Sequence, residues 1–396
     1  MKYALCVGDG MADFPLAELG GKTPLEYART PNMDTVASRG CVGRVRTVPE
    51  GFPPGSDVAN MSLLGYDATR YYQGRAPIEA ASMGIKLRQN ETAFRCNLVT
   101  LFDGVMADYS AGHIATDTAR ELLTLLQAEL GNSRVRFYPG ISYRHLVVIT
   151  DFPSGALLCT PPHDITGKKW AEYVPQGEGN GELLDLMNKA RGALAEAAAN
   201  KRSVEAGKPA ATDIWLWGHG QAVSFPSLME RFDISGSVVS AVDLVQGLGV
   251  LAGLSVRKVQ GATGYLGTNY AGKIAASHEA LKDGDFVFLH VEAPDETSHE
   301  GDVQKKITAI EEFDRNIVGE MLKLGDNEFA DLRLMVAPDH ATPVSTKTHD
   351  ASAVPFALCG PGVRPDGSTG YCEKQSALKP VISAVSLFET FIKGEF

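Results

Sequence analysis

The carboxylate, imidazole and hydroxyl residues that could jointly hold metal ions fall only near the two ends of this chain, and that placement limits what it can fold into. Toward the C-terminal end, Pro294-Asp-Glu-Thr-Ser-His299 and Pro338-Asp-His340 each follow an apolar run, with His349-Asp350 shortly after. At the other end, Asp9 follows the apolar run Lys2–Gly8, and Ser56 sits in the turn-rich segment Pro53-Pro-Gly-Ser-Asp57. One site built from both ends requires the chain between them to be an insertion. The expected organisation is a core of residues 1–72 plus 262–396, interrupted by a second unit over 73–261. A length of 396 residues also exceeds the roughly 250–300 that one hydrophobic core usually accommodates.

Apolar runs alternate with amphipathic segments in both parts, the pattern of an α/β protein with mostly parallel strands. Buried strands are predicted over Tyr3–Val7, Asp285–Val291, Leu332–Ala337 and Pro355–Cys359. Ile307, Ile310, Phe313, Ile317, Met321 and Leu324 recur at spacings of three and four, so Lys305–Leu324 reads as a helix with one apolar face. The middle of the chain reads as a smaller α/β unit. It has a strand over Ala93–Leu101, a helix from Thr116 or Asp117 to about Leu130, and a hairpin over Arg134–Thr150 turning at Pro139-Gly140. A long helix from Gly181 to about Ala206 and a strand at Asp213–Trp217 follow. The Pro/Gly-rich stretch 161–181 reads as a loop.

A formal charge of −11 without any basic block makes nucleic acid a poor partner. No run approaches the roughly 18 apolar residues of a membrane span. The six cysteines are scattered without paired spacing, which fits a reducing compartment; the expectation is a cytoplasmic protein acting on a small molecule.

Asp295 and His299, four residues apart, project from one face of a helical turn and can grip one ion, to which His349 could add a third ligand. A second ion would take Asp9, Asp339 and His340, with Ser56 Oγ as a further ligand. Pro338 marks the break into loop that would let the adjacent Asp339 and His340 share it. Singly, an Asp–His pair is more often a surface feature than a ligand pair, and Ser56 reads as the N-cap of Asp57–Leu64; their co-occurrence carries the joint reading. His290, inside an apolar run, reads as a core residue. Two cations about 3.5–4 Å apart can hold the attacking and leaving oxygens of an in-line displacement, and coordination makes a serine alkoxide accessible. The class of chemistry is therefore phosphoryl or sulfuryl transfer. Carboxylates and imidazoles without thiolate suit Mn²⁺ best, with Zn²⁺, Mg²⁺ or Co²⁺ as alternatives.

These residues resemble the archaeal-type cofactor-independent phosphoglycerate mutases of the alkaline phosphatase superfamily. The resemblance spans nearly the whole chain. It rests on six motifs in order: Gly8-Asp-Gly-Met-Ala-Asp13, Thr30-Pro-Asn-Met-Asp34, Pro54-Gly-Ser-Asp-Val-Ala-Asn60, Gly74-Arg-Ala-Pro-Ile-Glu79, Val291-Glu-Ala-Pro-Asp-Glu-Thr-Ser-His299 and Ala337-Pro-Asp-His340. It implies an α/β, alkaline-phosphatase-like metalloenzyme core with an inserted smaller α/β domain of phosphotransferase type. It further implies that Ser56 takes the phosphoryl group of 3-phosphoglycerate and returns it to the 2-hydroxyl, without bisphosphoglycerate. Carried over by motif, Asp295, His299 and His349 would bind one metal, and Asp9, Ser56, Asp339 and His340 the other. Arg75 and Arg144 are candidate anchors for substrate carboxylate or phosphate, because guanidinium binds both bidentately. Lys273 is a candidate for the charge beside the transferring group. The bland reading of all three is surface charge.

The chain departs from the pattern at Asp108-Tyr-Ser-Ala-Gly-His113, where those mutases have Asp-Arg-Arg-Ala-Gly-Arg. Two arginines are gone, and His113 stands in place of another as a substrate-binding candidate. Gly267 also occupies a position that is usually acidic. The chain is similar as well to a bacterial subgroup proposed to be homoserine kinases, so a kinase or phosphatase using the same serine is the alternative.

Overall fold

Three apolar strands lie side by side at the centre of the first unit, all pointing the same way: Phe286–Val291, Lys2–Gly8 and Leu332–Ala337. Each is buried along nearly its whole length, as strands covered on both faces by helices must be. The computed structural model describes residues 1–153 and 155–394, which form two compact units. The first comprises Met1–Tyr72 and Ser224–Phe396; the second comprises Gln73–Val223.

The eight-stranded sheet of the first unit runs in the order Ser255–Val256, Gly236–Val239, Phe286–Val291, Lys2–Gly8, Leu332–Ala337, Val354–Cys359, Cys41–Arg46, Val381–Ser383. Only Val354–Cys359 runs antiparallel to its neighbours. The register pairs Val7 with His290 and Ala337, and Gly8 with Val291, so the carboxyl ends of the three central strands stop at one level. In open parallel sheets that edge is where ligands bind. The predicted amphipathic helix packs on the sheet as one continuous rod, from Val303 to Asn327. Ile307, Ile310, Phe313, Ile317 and Met321 are buried and Leu324 partly so. Removing a side chain of that size from water contributes about 1.5–3 kcal/mol. A π-helical turn over Asp314–Val318 aims the Asp314 carboxylate at the start of helix Pro31–Arg39, where it accepts the amides of Asn32 and Met33.

The second unit is built on a five-stranded sheet in which every pairing is antiparallel, which corrects the expectation of mostly parallel strands there. Its centre is Glu91–Phe102, which pairs with Val105–Asp108, Arg144–Thr150 and Asp213–Gln221; Val135–Tyr138 forms an edge against Arg144–Thr150. Helices Thr116–Leu130 and Asn180–Glu196 contribute Leu122, Leu126, Leu183 and Ala190 to the core on one face. Helix Arg75–Ser82 lies on the other, with Ala76 and Ala80 against Ala93 and Val148.

Two further expectations change. The second unit ends at Val223 rather than 261, because Gly236–Val239 pairs with Phe286–Val291 and so belongs to the first unit's sheet. The long helix expected over 181–206 is two helices, Asn180–Glu196 and Ala198–Glu205, parted at Ala197. Buried Asn200 fixes the break: its amide donates to the carbonyls of Leu194 and Ala211, and its oxygen accepts the Ala211 amide.

Candidate active site

Each central strand of the first unit delivers a polar residue just past its end. Asp9 follows Gly8, Asp339 and His340 follow Ala337, and Asp295 lies in the helix Ala293–Glu300 that starts after Val291. Ser56 opens helix Ser56–Leu63, after Gly55. The structure gathers these residues into two groups of three whose candidate ligand atoms all lie within 4.8 Å of one another: Asp9, Asp339 and His340, and Asp295, His299 and His349. These are the same two triads that the sequence grouping proposes. Ser56 is half-buried beside the first group, its Oγ 3.2 Å from His340 Nε2.

The first group is fully buried. Asp339 is held by three donors: the amides of Gly10 at 3.0 Å and His340 at 2.9 Å, and Asn60 Nδ2 at 2.8 Å. The same Asn60 amide reaches the Ser56 carbonyl at 2.8 Å, tying the serine helix to the Asp339 loop. His340 Nε2 lies 3.5 Å from both Asp9 Oδ1 and Asp339 Oδ2. His290 lies against the group from the neighbouring strand, its Nε2 3.0 Å from Asp9 Oδ2 and its Nδ1 3.2 Å from Ser240 Oγ.

Burial, and then the charges of Asp339, Asp295 and Glu292, push the Asp9 carboxyl well above its usual range. The neighbouring imidazoles do not relieve this: burial holds His340 below its ordinary value and takes His290 to about 4, so both are neutral. Among the described residues, buried Asp9 Oδ1 accepts no hydrogen bond. Buried carboxylates, neutral imidazoles and an unsatisfied carboxylate oxygen make a site short of positive charge, and a divalent cation fits that shortage.

The second group is more open. Asp295 Oδ2 is 3.1 Å from His299 Nε2, and its Oδ1 is 3.5 Å from His349 Nε2. Burial alone would raise the Asp295 carboxyl, but hydrogen bonds from His299 and His349 outweigh it and hold the group well below its usual range. The His299 imidazole in turn is raised to about 9, chiefly by Asp295. His299 Nδ1 meets the Lys347 carbonyl at 2.9 Å, an orienting bond that metal-ligating histidines commonly make.

Lys273 is 1% exposed, and its ammonium donates to the His290 carbonyl at 2.9 Å; burial lowers it to about 8. It braces the His290 strand rather than lying on the surface.

In the second unit Arg75 and Arg144 are drawn around a residue that the sequence analysis passed over, Arg95. The register pairs Arg95 with Trp217 and Asn97 with Arg144, so all four share one sheet face. The Arg95 guanidinium lies 4.0 Å from the Trp217 ring centroid, and its Nε donates to Glu79 Oε2 at 2.9 Å. Glu79 also faces Arg75 Nε at 3.5 Å. Burial first, and then the charges of Arg75 and Arg144, lower Arg95 to about 10 despite Glu79. His113 is exposed, with its ring 6.1 Å from that of Tyr143, over which Arg144 also lies. Asp108 organises the departing motif: its carboxylate accepts the Ser110 hydroxyl and the amides of Ser110 and Gly112, while Ala111, Gly112 and His113 all have positive φ.

Sequence reasoning missed His290, Asn60, Arg95 and Thr342, the last of which bonds to both Asp295 and His340. A signal existed for His290, an ionisable residue inside the otherwise apolar strand Phe286–Val291.

Comparison with known proteins agrees with the fold. A family model described as 2,3-bisphosphoglycerate-independent phosphoglycerate mutase matches residues 37–200. The chain is 51% identical to a protein of that name from Methanosarcina barkeri over 97% of both chains. It is 50% identical to a probable one from Geobacter sulfurreducens over 95% of both. Its fold matches that of a Pyrococcus horikoshii protein with a TM-score of 0.83 at 29% identity, covering 99% of this chain and 97% of the other. It matches the cofactor-independent phosphoglycerate mutase of Thermoplasma acidophilum with a TM-score of 0.67 at 26% identity, covering 99% of both. No described helix is long and apolar enough to cross a membrane. The chain belongs to the 2,3-bisphosphoglycerate-independent phosphoglycerate mutase family.

Proposed function

We propose that this enzyme interconverts 3-phosphoglycerate and 2-phosphoglycerate through a phosphoserine at Ser56. The observation that carries the reading is the placement of Ser56 Oγ 3.2 Å from His340 Nε2, beside the buried Asp9, Asp339 and His340 group. Ser56 Oγ attacks phosphorus; the bond from phosphorus to the substrate's O3 breaks as the Oγ–P bond forms, and the serine proton ends on O3. The bound glycerate then turns to present its 2-hydroxyl. That oxygen attacks phosphorus, its proton returns to Ser56 Oγ, and the Oγ–P bond breaks. No bisphosphoglycerate enters the cycle.

Asp295, His299 and His349 would hold one divalent ion, and Asp9, Asp339, His340 and Ser56 a second, with Mn²⁺ the best match to the mixed donor set. Such ions lower the acidity barrier of a hydroxyl and offset the charge of a phosphoryl group in flight. Asn60 fixes Asp339 relative to the Ser56 backbone, and His299 is oriented through its bond to Lys347. Arg75, Arg144 and His113 are the proposed holders of the anionic substrate, with Lys273 supplying charge to the first unit's site. The small phosphorylated metabolite is the expected partner, in the cytoplasm. The kinase alternative is not favoured, since relatives at half identity over nearly the full length carry the mutase name.

The test is an assay of 3-phosphoglycerate conversion with Mn²⁺ and no added bisphosphoglycerate. Turnover lost in chelator and in Ser56→Ala is expected. Turnover retained by Ser56→Ala would remove the phosphoserine step.

A further inference from the structure

Thr342 is fully buried between the two donor groups and bonds to a member of each. Its Oγ1 lies 2.5 Å from Asp295 Oδ1 and 3.2 Å from His340 Nδ1. A hydroxyl has one proton, and a carboxylate oxygen only accepts. The Thr342 proton therefore goes to Asp295, and its oxygen accepts from His340 Nδ1–H. That tautomer leaves the lone pair of His340 on Nε2, the atom facing Asp9, Asp339 and Ser56. Backbone contacts pin the threonine from both sides: its amide donates to the Ala12 carbonyl at 3.1 Å, and its carbonyl accepts from Lys306 Nζ at 2.9 Å. Lys306 is itself fixed by a buried ion pair with Asp13 at 2.8 Å. Gly10 makes the room, since a Cβ there would stand 2.5 Å from both Asp295 Oδ1 and Thr342 Oγ1, and its φ of +59° disfavours any other residue.

We propose that Thr342 is a positioning residue that couples the two metal sites, so that an ion held by Asp295, His299 and His349 raises the affinity of the Asp9, Asp339 and His340 group, and the reverse. The inference rests on the two-ion reading above. An ion on Asp295 fixes the carboxylate that holds the Thr342 proton, and through Thr342 the ring of His340; ordering one group spares the other that cost. Coupling of this kind acts equally in both directions. Outer partners of metal ligands are typically worth 10–100-fold in affinity.

The test is calorimetric titration of chelator-stripped protein with Mn²⁺. Wild type is expected to bind two equivalents cooperatively, and Thr342→Ser, which keeps the hydroxyl, to do the same. Thr342→Val should weaken the buried site by about 10–100-fold and abolish the cooperativity. A second arm does not depend on that variant folding: His299→Ala, made in the wild-type chain, should weaken Mn²⁺ at the remaining buried site as well. Thr342→Val titrating like wild type, or a buried site indifferent to His299→Ala, would overturn the coupling alone. Wild type that fails to take up two equivalents would instead remove the two-ion reading beneath it.

Discussion

The two units reach a polar site by opposite routes. In the first, the chemistry sits beyond the ends of parallel strands, where backbone turns away from the sheet and side chains need not share the apolar interior. In the second, the polar group lies on a sheet face. Arg95, Asn97, Arg144 and Trp217 occupy paired positions in mid-strand, and the buried guanidinium is balanced by Glu79 and the Trp217 ring. The first arrangement collects carboxylates that lack positive charge; the second collects arginines that share one carboxylate. Removing a member of the buried carboxylate group should therefore cost the first unit chemistry, and removing buried Arg95 should cost the second unit stability.

The comparison can be tested cleanly because all three tryptophans, Trp170, Trp215 and Trp217, lie in the second unit. Tryptophan fluorescence thus follows that unit, while Mn²⁺ stoichiometry would report on the site proposed in the first. The largest expected effect is that of Asp339→Asn. It should lower turnover by more than about 100-fold, beyond the usual loss of an outer partner, and remove one Mn²⁺ equivalent. The tryptophan-monitored unfolding transition should not move, and a shift would blur the division between the units. Next is Arg95→Met, which leaves Glu79 with Arg75 alone. Breaking a buried pair in this way should destabilise the tryptophan-monitored transition by about 3–5 kcal/mol. Mn²⁺ stoichiometry should be unchanged; loss of an equivalent would contradict the separation.

The smallest effect concerns acid. His145 is on the opposite face of the second sheet from Arg95, paired with Cys96, and its buried Nε2 has no hydrogen-bond partner among the described residues. Burial lowers its imidazole to about 3, against about 6.5 in the unfolded chain. The unfolded state takes the proton first, so this contribution to stability is complete above about pH 6.5 and is lost progressively as pH falls toward 3. His145→Asn, whose oxygen can still accept the Gly140 amide that Nδ1 accepts now, should flatten that acid limb in a fluorescence-monitored pH titration. An unaltered limb would assign acid sensitivity elsewhere.

What could be read without coordinates follows the same division. The strand-end positions of Asp9, Asp295, Asp339 and His340 were legible because each follows an apolar run. The first unit's helix was legible because its apolar face repeats over many turns. His290 reads as core from sequence and is buried; its contact with Asp9 depends on which strand lies beside Lys2–Gly8, and local pattern does not encode strand order. The same limit placed the boundary of the second unit at 261: Asp213–Gln221 and Gly236–Val239 are both strands, but they pair with different sheets. Direction was hidden too, since a strand buried on both faces has the same continuous pattern whether its neighbours are parallel or antiparallel. Thr342 carries no charge and no periodic signal, and only its two hydrogen bonds distinguish it.

The central claim is that Ser56 carries the phosphoryl group. The most direct measurement is mass spectrometry of the Ser56 peptide after the Mn²⁺-loaded enzyme is acid-quenched during turnover of 3-phosphoglycerate. The account predicts one phosphoryl group, on Ser56 and absent from the Ser56→Ala protein. Undiminished turnover with Ser56 unmodified at every quench time would contradict it.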